Sequence, residues 1–251
     1  MEELREAALR GVLEGGRVVR EAALKGTRAK GAGDYVTEVD REAERRIAAL
    51  LEEATGIGVR GEEHGGEAAG RHWLVDPVDG TTNLVHGFPI VGVSVALIEE
   101  GGPVVGAVHA PHLDATWTAV RGAGAERDGR PLAVSSRPTG EAIVATGFPF
   151  RHKDRLPEYL RVLVPALQRF EDLRRPGAAS LDLAWVAEGT FDGFFELGLS
   201  SWDVAAGALL IEEAGGFVTD WAGGDGYMAG DILAGNPEVH AALLELAQAL
   251  A

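Results

Sequence analysis

Three groups of carboxylates fall at turns of the chain, and their types and spacing are those of ligands for a hard divalent cation. Asp76 and Asp79 stand three apart in the run Trp73-Leu74-Val75-Asp76-Pro77-Val78-Asp79-Gly80-Thr81-Thr82-Asn83, which begins with apolar residues of strand character and ends in glycine and paired hydroxyls. Proline fixes φ and removes an amide donor, glycine permits a sharp reversal, and hydroxyl residues commonly begin helices. The run therefore reads as strand, kink and helix start, with both aspartates at the strand end. Carboxylates there, beside the free amides of a helix N-terminus, can hold a cation on one side and a phosphate on the other. The chemistry is metal-assisted phosphoryl transfer. Taken alone, Asp-Pro-x-Asp-Gly is equally a surface turn. Glu62-Glu63 upstream and Asp203 downstream shift the balance toward a site.

Gly61-Glu62-Glu63-His64-Gly65-Gly66 closes a short predicted strand, 56–60, directly before the strand that carries Asp76. Either a parallel or an antiparallel pairing of these neighbours brings Glu62 beside Asp76; a plain polar loop is the alternative. His64 and His72 read as surface residues, since magnesium prefers oxygen donors and no His-x-x-x-His pattern accompanies them. Ser200-Ser201-Trp202-Asp203 opens a strongly apolar helix, 204–214, in which Asp203 serves as an N-cap, a ligand or both. Asp40 falls in the first turn of a helix running to about residue 54 with Asp34 or Thr37 as its cap, and an acid there complements the helix dipole.

The elements that position these groups divide near residue 140. An amphipathic helix over 2–25, interrupted at Gly15-Gly16, leads into a glycine- and lysine-rich loop, 25–33, where Lys30 either approaches a phosphate or is simply solvated. After a linker, 84–89, the β-rich runs 91–98, 104–110, 116–120 and 131–134, with turns at Gly101-Gly102 and Asp128-Gly129, form an antiparallel meander. The first half is thus α+β, helices on an antiparallel sheet. The second half alternates: strand 142–146, helix 153–167, strand 170–173, helix 179–188, strand 191–197, the apolar helix, closing strands 217–220 and 231–234, and a last helix capped by Asn236-Pro237. That order is α/β, in three layers. Residues 1–139 and 140–251 are expected to pack as one catalytic unit.

With 251 residues, 46% of them hydrophobic, the chain can bury a sizeable core. It has no cysteine, which excludes disulfides and thiolate chemistry and fits a reducing cytoplasm. No apolar run approaches a membrane span, and the charged start is unlike a secretory signal. A formal net charge of −16 argues against binding nucleic acid through its backbone, though bound cations would still admit an anionic substrate.

Together, Gly61-Glu62-Glu63, the run from Trp73 to Asn83, and Trp202-Asp203-Val204-Ala205-Ala206-Gly207 resemble the three signatures of the inositol monophosphatase family, magnesium-dependent and lithium-sensitive phosphatases. The likeness covers almost the whole chain, from the segment Asp34 to Asp40 to Glu212-Glu213-Ala214-Gly215-Gly216. It implies the five-layer αβαβα sandwich shared with fructose-1,6-bisphosphatase. It also implies two to three magnesium ions: one held by Glu62, Asp76 and the Val78 carbonyl, a second by Asp76, Asp79 and Asp203, and a third, weaker one sharing Glu62. Asp76 would then bridge two ions about 3.5–4 Å apart. In the implied mechanism Thr81 and Glu62 orient an activated water and take its proton, Asp40 supports Thr81, and the amides of Gly80 and Thr81 hold the phosphate. Asp79, Gly177, Ala178, Ala179, Glu196 and Asp203 are the implied substrate contacts, with Ala178 standing where close relatives carry a hydroxyl and Lys30 near, one position off, the family's lysine.

The expected reaction is hydrolysis of inositol 1-phosphate by a cytoplasmic homodimer. Fructose 1,6-bisphosphate, 3′-phosphoadenosine 5′-phosphate and histidinol phosphate are the alternatives within the superfamily. Thr82-Asn83 favours the inositol branch, because the nucleotide and histidinol branches usually carry lysine at the second hydroxyl position. From another class, a catalytically silent metal-binding scaffold would keep the same fold.

Overall fold

A computed structural model describes residues 1–25, 38–65, 70–100 and 102–249. Lys30 and the expected caps Asp34 and Thr37 lie outside the described residues.

The elements stack in five layers, the expected αβαβα sandwich. The outer helices α1 (Glu2–Lys25) and α2 (Glu38–Thr55) cover a seven-stranded sheet. That sheet runs in chain order through β1 (Val59–Gly61), β2 (His72–Asp79), β3 (Gly92–Glu99), β4 (Gly102–Ala110), β5 (Ala115–Val120), β6 (Gly124–Arg127) and β7 (Arg130–Pro131). Only β1 and β2 are parallel; every later pair is antiparallel. A short helix, α3 (Thr81–His86), leaves the end of β2. The second sheet is mixed, with β8 (Ile143–Thr146), β9 (Asp172–Arg174), β10 (Gly193–Glu196), β11 (Phe217–Thr219) and β12 (Ile232–Gly235) ordered β11-β12-β10-β8-β9. α5 (Ala179–Ala187) and α6 (Ser201–Glu213) fill the space between the sheets, while α4 (Leu156–Arg169) and α7 (Pro237–Gln248) cover the far side.

Sequence chemistry explains which helix takes which layer. α6 is apolar nearly all round, and every residue from Asp203 to Ile211 is buried, as a helix between two sheets requires. α1 and α2 bury one face and leave the other charged. Three apolar clusters result: one around α5 and α6 (Leu181, Leu183, Leu209, Leu210), one between α1, α2 and the first sheet (Ile47, Leu51, Trp73, Val93), and one between the second sheet, α4 and α7 (Tyr159, Phe195, Leu243).

Several elements differ from expectation. β2 does not end at Pro77; it continues to Asp79 with a shift of register. The stretch 84–89 begins inside α3 rather than as a linker. β6 is an additional strand, and 131–134 is not one: β7 ends at Pro131, and the Val134 amide donates to the Ala214 carbonyl at the end of α6 (3.0 Å). The chain leaves the sheet there to reach the middle layer. Gly15 and Gly16 do not interrupt α1. They bring the helix against the sheet, where a Cβ at Gly15 would press on Ile47 and Val93 (both 2.8 Å) and one at Gly16 would overlap the buried His109 ring.

Two glycine-to-alanine changes in α1 should therefore have opposite signs. A Cβ at Gly11 meets nothing closer than 3.5 Å, so Gly11→Ala should gain helix propensity and stabilise by up to about 1 kcal/mol. Gly16→Ala should destabilise by about 1–3 kcal/mol through overpacking, since His109 is held in place by its bond to Ala115. Urea denaturation of both variants measures the pair.

Candidate metal centre and active site

Side chains on a regular strand alternate between faces, so residues three apart point to opposite sides of a sheet. Asp76 and Asp79 escape this rule. Asp76 pairs with Ser94 and Asp79 with Gly92, so three steps along β2 match two along β3, and the extra residue is a bulge at Pro77-Val78. Proline is tolerated there because a bulge leaves an amide out of the ladder. Both aspartates consequently face the middle layer, where Ser94 Oγ reaches the Trp202 carbonyl of α6 (3.3 Å) and a Cβ at Gly92 would meet Ser180 of α5.

α6 brings the third carboxylate. Its N-cap is Ser200, so Asp203 is the third residue of the helix rather than its cap, and it accepts the Ser200 amide through Oδ2 (2.7 Å) in a capping box. Capping and a place in the site coexist. Among the described residues, Asp76, Asp79 and Asp203 each offer a carboxylate oxygen, and these oxygens lie within 4.8 Å of one another. Glu62 comes from β1, whose parallel pairing sets Gly61 opposite Val75, and the Glu62 amide continues the ladder to the Val75 carbonyl (3.3 Å). Glu62 lines the same cleft, outside the tight group of three.

Burial and mutual repulsion act together on these acids. Desolvation, then the charges of Glu62, Asp79 and Asp203, hold the Asp76 carboxyl well above the usual carboxylate range. Desolvation and the Asp203 charge push Asp79 and Glu62 each up to about 7. Asp203 is raised by burial, with the Ser200 amide and a bond from Asp76 opposing the rise. Glu196, at the end of β10, is pushed up to about 8 by burial and then by Asp203. A cluster of oxygen-only donors that disfavours its own ionisation is one that a hard cation completes, and the residues fit magnesium.

Around the acids, the cleft encloses about 600 Å³ and is lined by the ends of β2 and α3, the segment from Gly147 to Lys153, Gly177, Ala179, Glu196 and Asp203. Thr81 Oγ1 lies 3.1 Å from both Asp40 Oδ1 and the Val78 carbonyl, and its single proton can go to either. Asp40, only 3% exposed, meets the cleft through Thr81. Gly80 takes a positive φ of 89° that lets β2 turn into α3. Gly177 and Ala179 border the cleft, whereas Ala178 is buried behind them and does not line it. A Cβ at Gly147 would overlap the Glu196 carboxyl, so that glycine makes the space Glu196 occupies.

Other contributors carry no local signal in the sequence. Ser180 fixes Asp79 through its amide (2.7 Å) and its hydroxyl (2.5 Å), both to Oδ2. Asn83 donates to the carbonyls of Ile90 (2.7 Å) and Pro176 (3.0 Å), tying α3 to the Gly177 loop. On the rim, Arg175 stacks over Phe148 and Phe150 with its guanidinium 5.5 and 5.4 Å from the ring centres, and Arg151 stands 3.8 Å from Glu62. Apart from Ile90, seven residues after Asn83, these partners are distant in sequence, so spacing could not have joined them.

With this geometry in view, the likeness to known proteins is specific. The sequence profile of the Inositol monophosphatase family matches residues 1–251. A Nus factor SuhB of Pseudomonas aeruginosa is 47% identical over 229 residues, 87% of this chain and 84% of its own. An inositol-1-monophosphatase of Mesorhizobium japonicum is 44% identical over 222 residues, 86% of this chain and 84% of its own. Among solved structures, the extragenic suppressor protein suhB of Bartonella henselae superposes with a TM-score of 0.90 at 37% identity, over 97% of each chain.

The raised carboxyls give the metal-free protein a signed pH dependence. Glu62, Asp79 and Glu196 keep protons up to about pH 7–8 when folded, while the unfolded chain releases them near pH 4. The folded state thus binds more protons across that window, and stability must fall as pH rises through it. Thermal unfolding without metal should show a lower midpoint at pH 8 than at pH 5. Magnesium should reverse the trend, because ligation requires the deprotonated acids.

Proposed function

The chain belongs to the inositol monophosphatase family, and on that basis we propose that it is a magnesium-dependent phosphomonoesterase that hydrolyses inositol 1-phosphate to inositol and phosphate. The observation that carries the reading is the convergence of Asp76, Asp79 and Asp203 within 4.8 Å at the floor of a 600 Å³ cleft. Bound magnesium supplies the charge that neutralises the phosphate and acidifies a nucleophilic water. Glu62, Asp76, the Val78 carbonyl, Asp79 and Asp203 are the proposed ligands.

The chain's own groups take the remaining roles in this proposal. Thr81 Oγ1 orients the water, with Asp40 fixing the hydroxyl on its far side, and Glu62 receives the proton. The amides of Gly80 and Thr81 border the cleft and bind phosphate oxygens. On the leaving-group side, Asp79, Asp203 and Glu196 offer carboxyl oxygens to the ring hydroxyls, and Gly177 and Ala179 offer backbone. Residues 1–139 and 140–251 act as one catalytic unit: the lining drawn from both, Glu62 to Asn83 and Gly147 to Asp203, supports this. A cytoplasmic homodimer, as the family resemblance implies, completes the proposal.

A second reading rests on the 47% identical Pseudomonas aeruginosa relative, which is named a Nus factor. The chain then serves as a Nus factor, beside catalysis or instead of it.

Phosphate release with magnesium should be compared for inositol 1-phosphate, fructose 1,6-bisphosphate, 3′-phosphoadenosine 5′-phosphate and histidinol phosphate. Preference for the first, abolished by EDTA and inhibited by lithium, is the expected result. Preference for another keeps the metals and replaces the substrate. Magnesium binding without release from any of the four favours the Nus factor reading. Asp79→Asn should lower kcat by about a hundredfold, yet leave the metal-free thermal midpoint at pH 8 unchanged or higher, because it removes a repelled charge. An Asp79→Asn enzyme with normal turnover would contradict the ligand assignment.

A further inference from the structure

Glu62 sits in a turn that has no apolar anchor. Residues 62–64 are Glu, Glu and His, and the ladder between β1 and β2 ends with the single bond from the Glu62 amide to Val75. The turn is closed on itself by the Gly61 amide donating to the Gly65 carbonyl (2.9 Å). Besides the ion pairs of Arg151 with Glu62 (3.8 Å) and Arg41 with Glu63 (3.9 Å), its tie to the rest of the protein comes from a buried acid on a neighbouring helix. Glu44 of α2 is 2% exposed, and its carboxylate accepts the Glu63 amide through Oε2 (2.8 Å) and the His64 amide through Oε1 (2.8 Å). The same Oε1 lies 2.8 Å from His64 Nδ1.

Gly61 belongs to this arrangement. A Cβ there would overlap all three atoms of the Glu44 carboxyl, so the backbone can approach the acid this closely only as glycine. A buried carboxylate is costly, and here the cost is offset by amides of a turn that otherwise contributes little to the fold. Ala43, Ile47 and Leu51 show that the buried face of α2 readily takes apolar residues. An acid at 44 is thus unnecessary for packing. It also follows Asp40 by one helical turn, so α2 presents two buried acids on one side, one bound to Thr81 and one to the turn of Glu62.

Resting on the metal-dependent reading above, we propose that Glu44 is a positioning residue for Glu62: it grips the backbone on the C-terminal side of Glu62 and so fixes where that carboxylate meets the cation. Gly61 is the complementary half of the device. Ligand carboxylates need placement within about 0.5 Å, and groups that orient a ligand typically contribute 10–100-fold to metal affinity.

Calorimetric magnesium titration of the wild type, Glu44→Ala, Glu44→Gln, Gly61→Ala and the double variant Glu44→Ala/Gly61→Ala tests this without relying on turnover. Glu44→Ala should weaken magnesium binding about 10–100-fold, with substrate KM at saturating magnesium within about twofold of wild type. Glu44→Gln, which keeps one accepting oxygen, should fall between. Gly61→Ala should weaken binding as Glu44→Ala does, because its Cβ displaces the carboxyl, and the double variant should be no worse than either single one. Wild-type magnesium affinity in folded Glu44→Gln and Gly61→Ala would overturn the proposal, and these two decide it should Glu44→Ala fail to fold. Additive losses in the double variant would also overturn it. A wild type that binds magnesium but releases no phosphate would end the phosphatase reading while leaving the effect of Glu44 on affinity measurable.

Discussion

One extra residue in β2 sets the geometry on which the site depends. Without the bulge at Pro77-Val78, Asp76 and Asp79 would stand on opposite faces of the first sheet, one toward α1 and α2 and the other toward the middle layer. With it, both face α5 and α6, where Asp203 waits at the first turn of α6. The same shift brings Val75 and Val78 together on the outer face, into the cluster with Ile47 and Leu51. A single irregularity thus serves core and site at once, with Gly80 at positive φ redirecting the chain immediately afterwards.

Gathering buried acids on one floor works against folding, and the surrounding structure counters it in specific ways. Ser180 gives two hydrogen bonds to Asp79, Ser200 gives its amide to Asp203, and Val78 gives its amide to Asp76 (3.0 Å). These favour the charged forms, yet burial and repulsion prevail and the carboxyls stay raised. The apolar layers on either side supply the stability that permits it; α6, which carries Asp203, is anchored by Val204, Leu209, Leu210 and Ile211 between two sheets. A strained electrostatic site on a rigid apolar frame is the usual compromise between stability and function. The cleft is also polarised: acids form its floor while Arg151, Lys153 and Arg175 stand at its rim.

Membership of the inositol monophosphatase family joins this chain both to a relative named for phosphatase activity and to one named as a Nus factor. The shared sandwich alone does not separate the two, since one fold hosts several functions. What bears on the distinction is local: the three converging carboxylates, Thr81 fixed by Asp40, and Glu196 in the space left by Gly147 form a constellation with a chemical use.

The sequence by itself determined the residue types of the site and most of the elements that carry it. Periodicity marked α1 and α2, a continuous apolar run after Ser200-Ser201 marked α6, alternation marked β3 to β5, and the run Trp73 to Asn83 marked the strand end, because these signals reside in neighbouring residues. The bulge was not legible: proline forecast a break, but only pairing with β3 decided that the strand would continue with one residue extra. Pairing likewise decided that β1 runs parallel to β2, that β6 exists, and that 131–134 leaves the sheet. The tertiary structure alone brought Ser180 to Asp79 and Asn83 to Pro176. It alone set Glu44 under the turn of Glu62 and put Ala178 behind the cleft instead of in it. Hydrogen bonds and steric exclusion between residues tens to a hundred positions apart leave no trace in local spacing, so they appear only once the layers have closed.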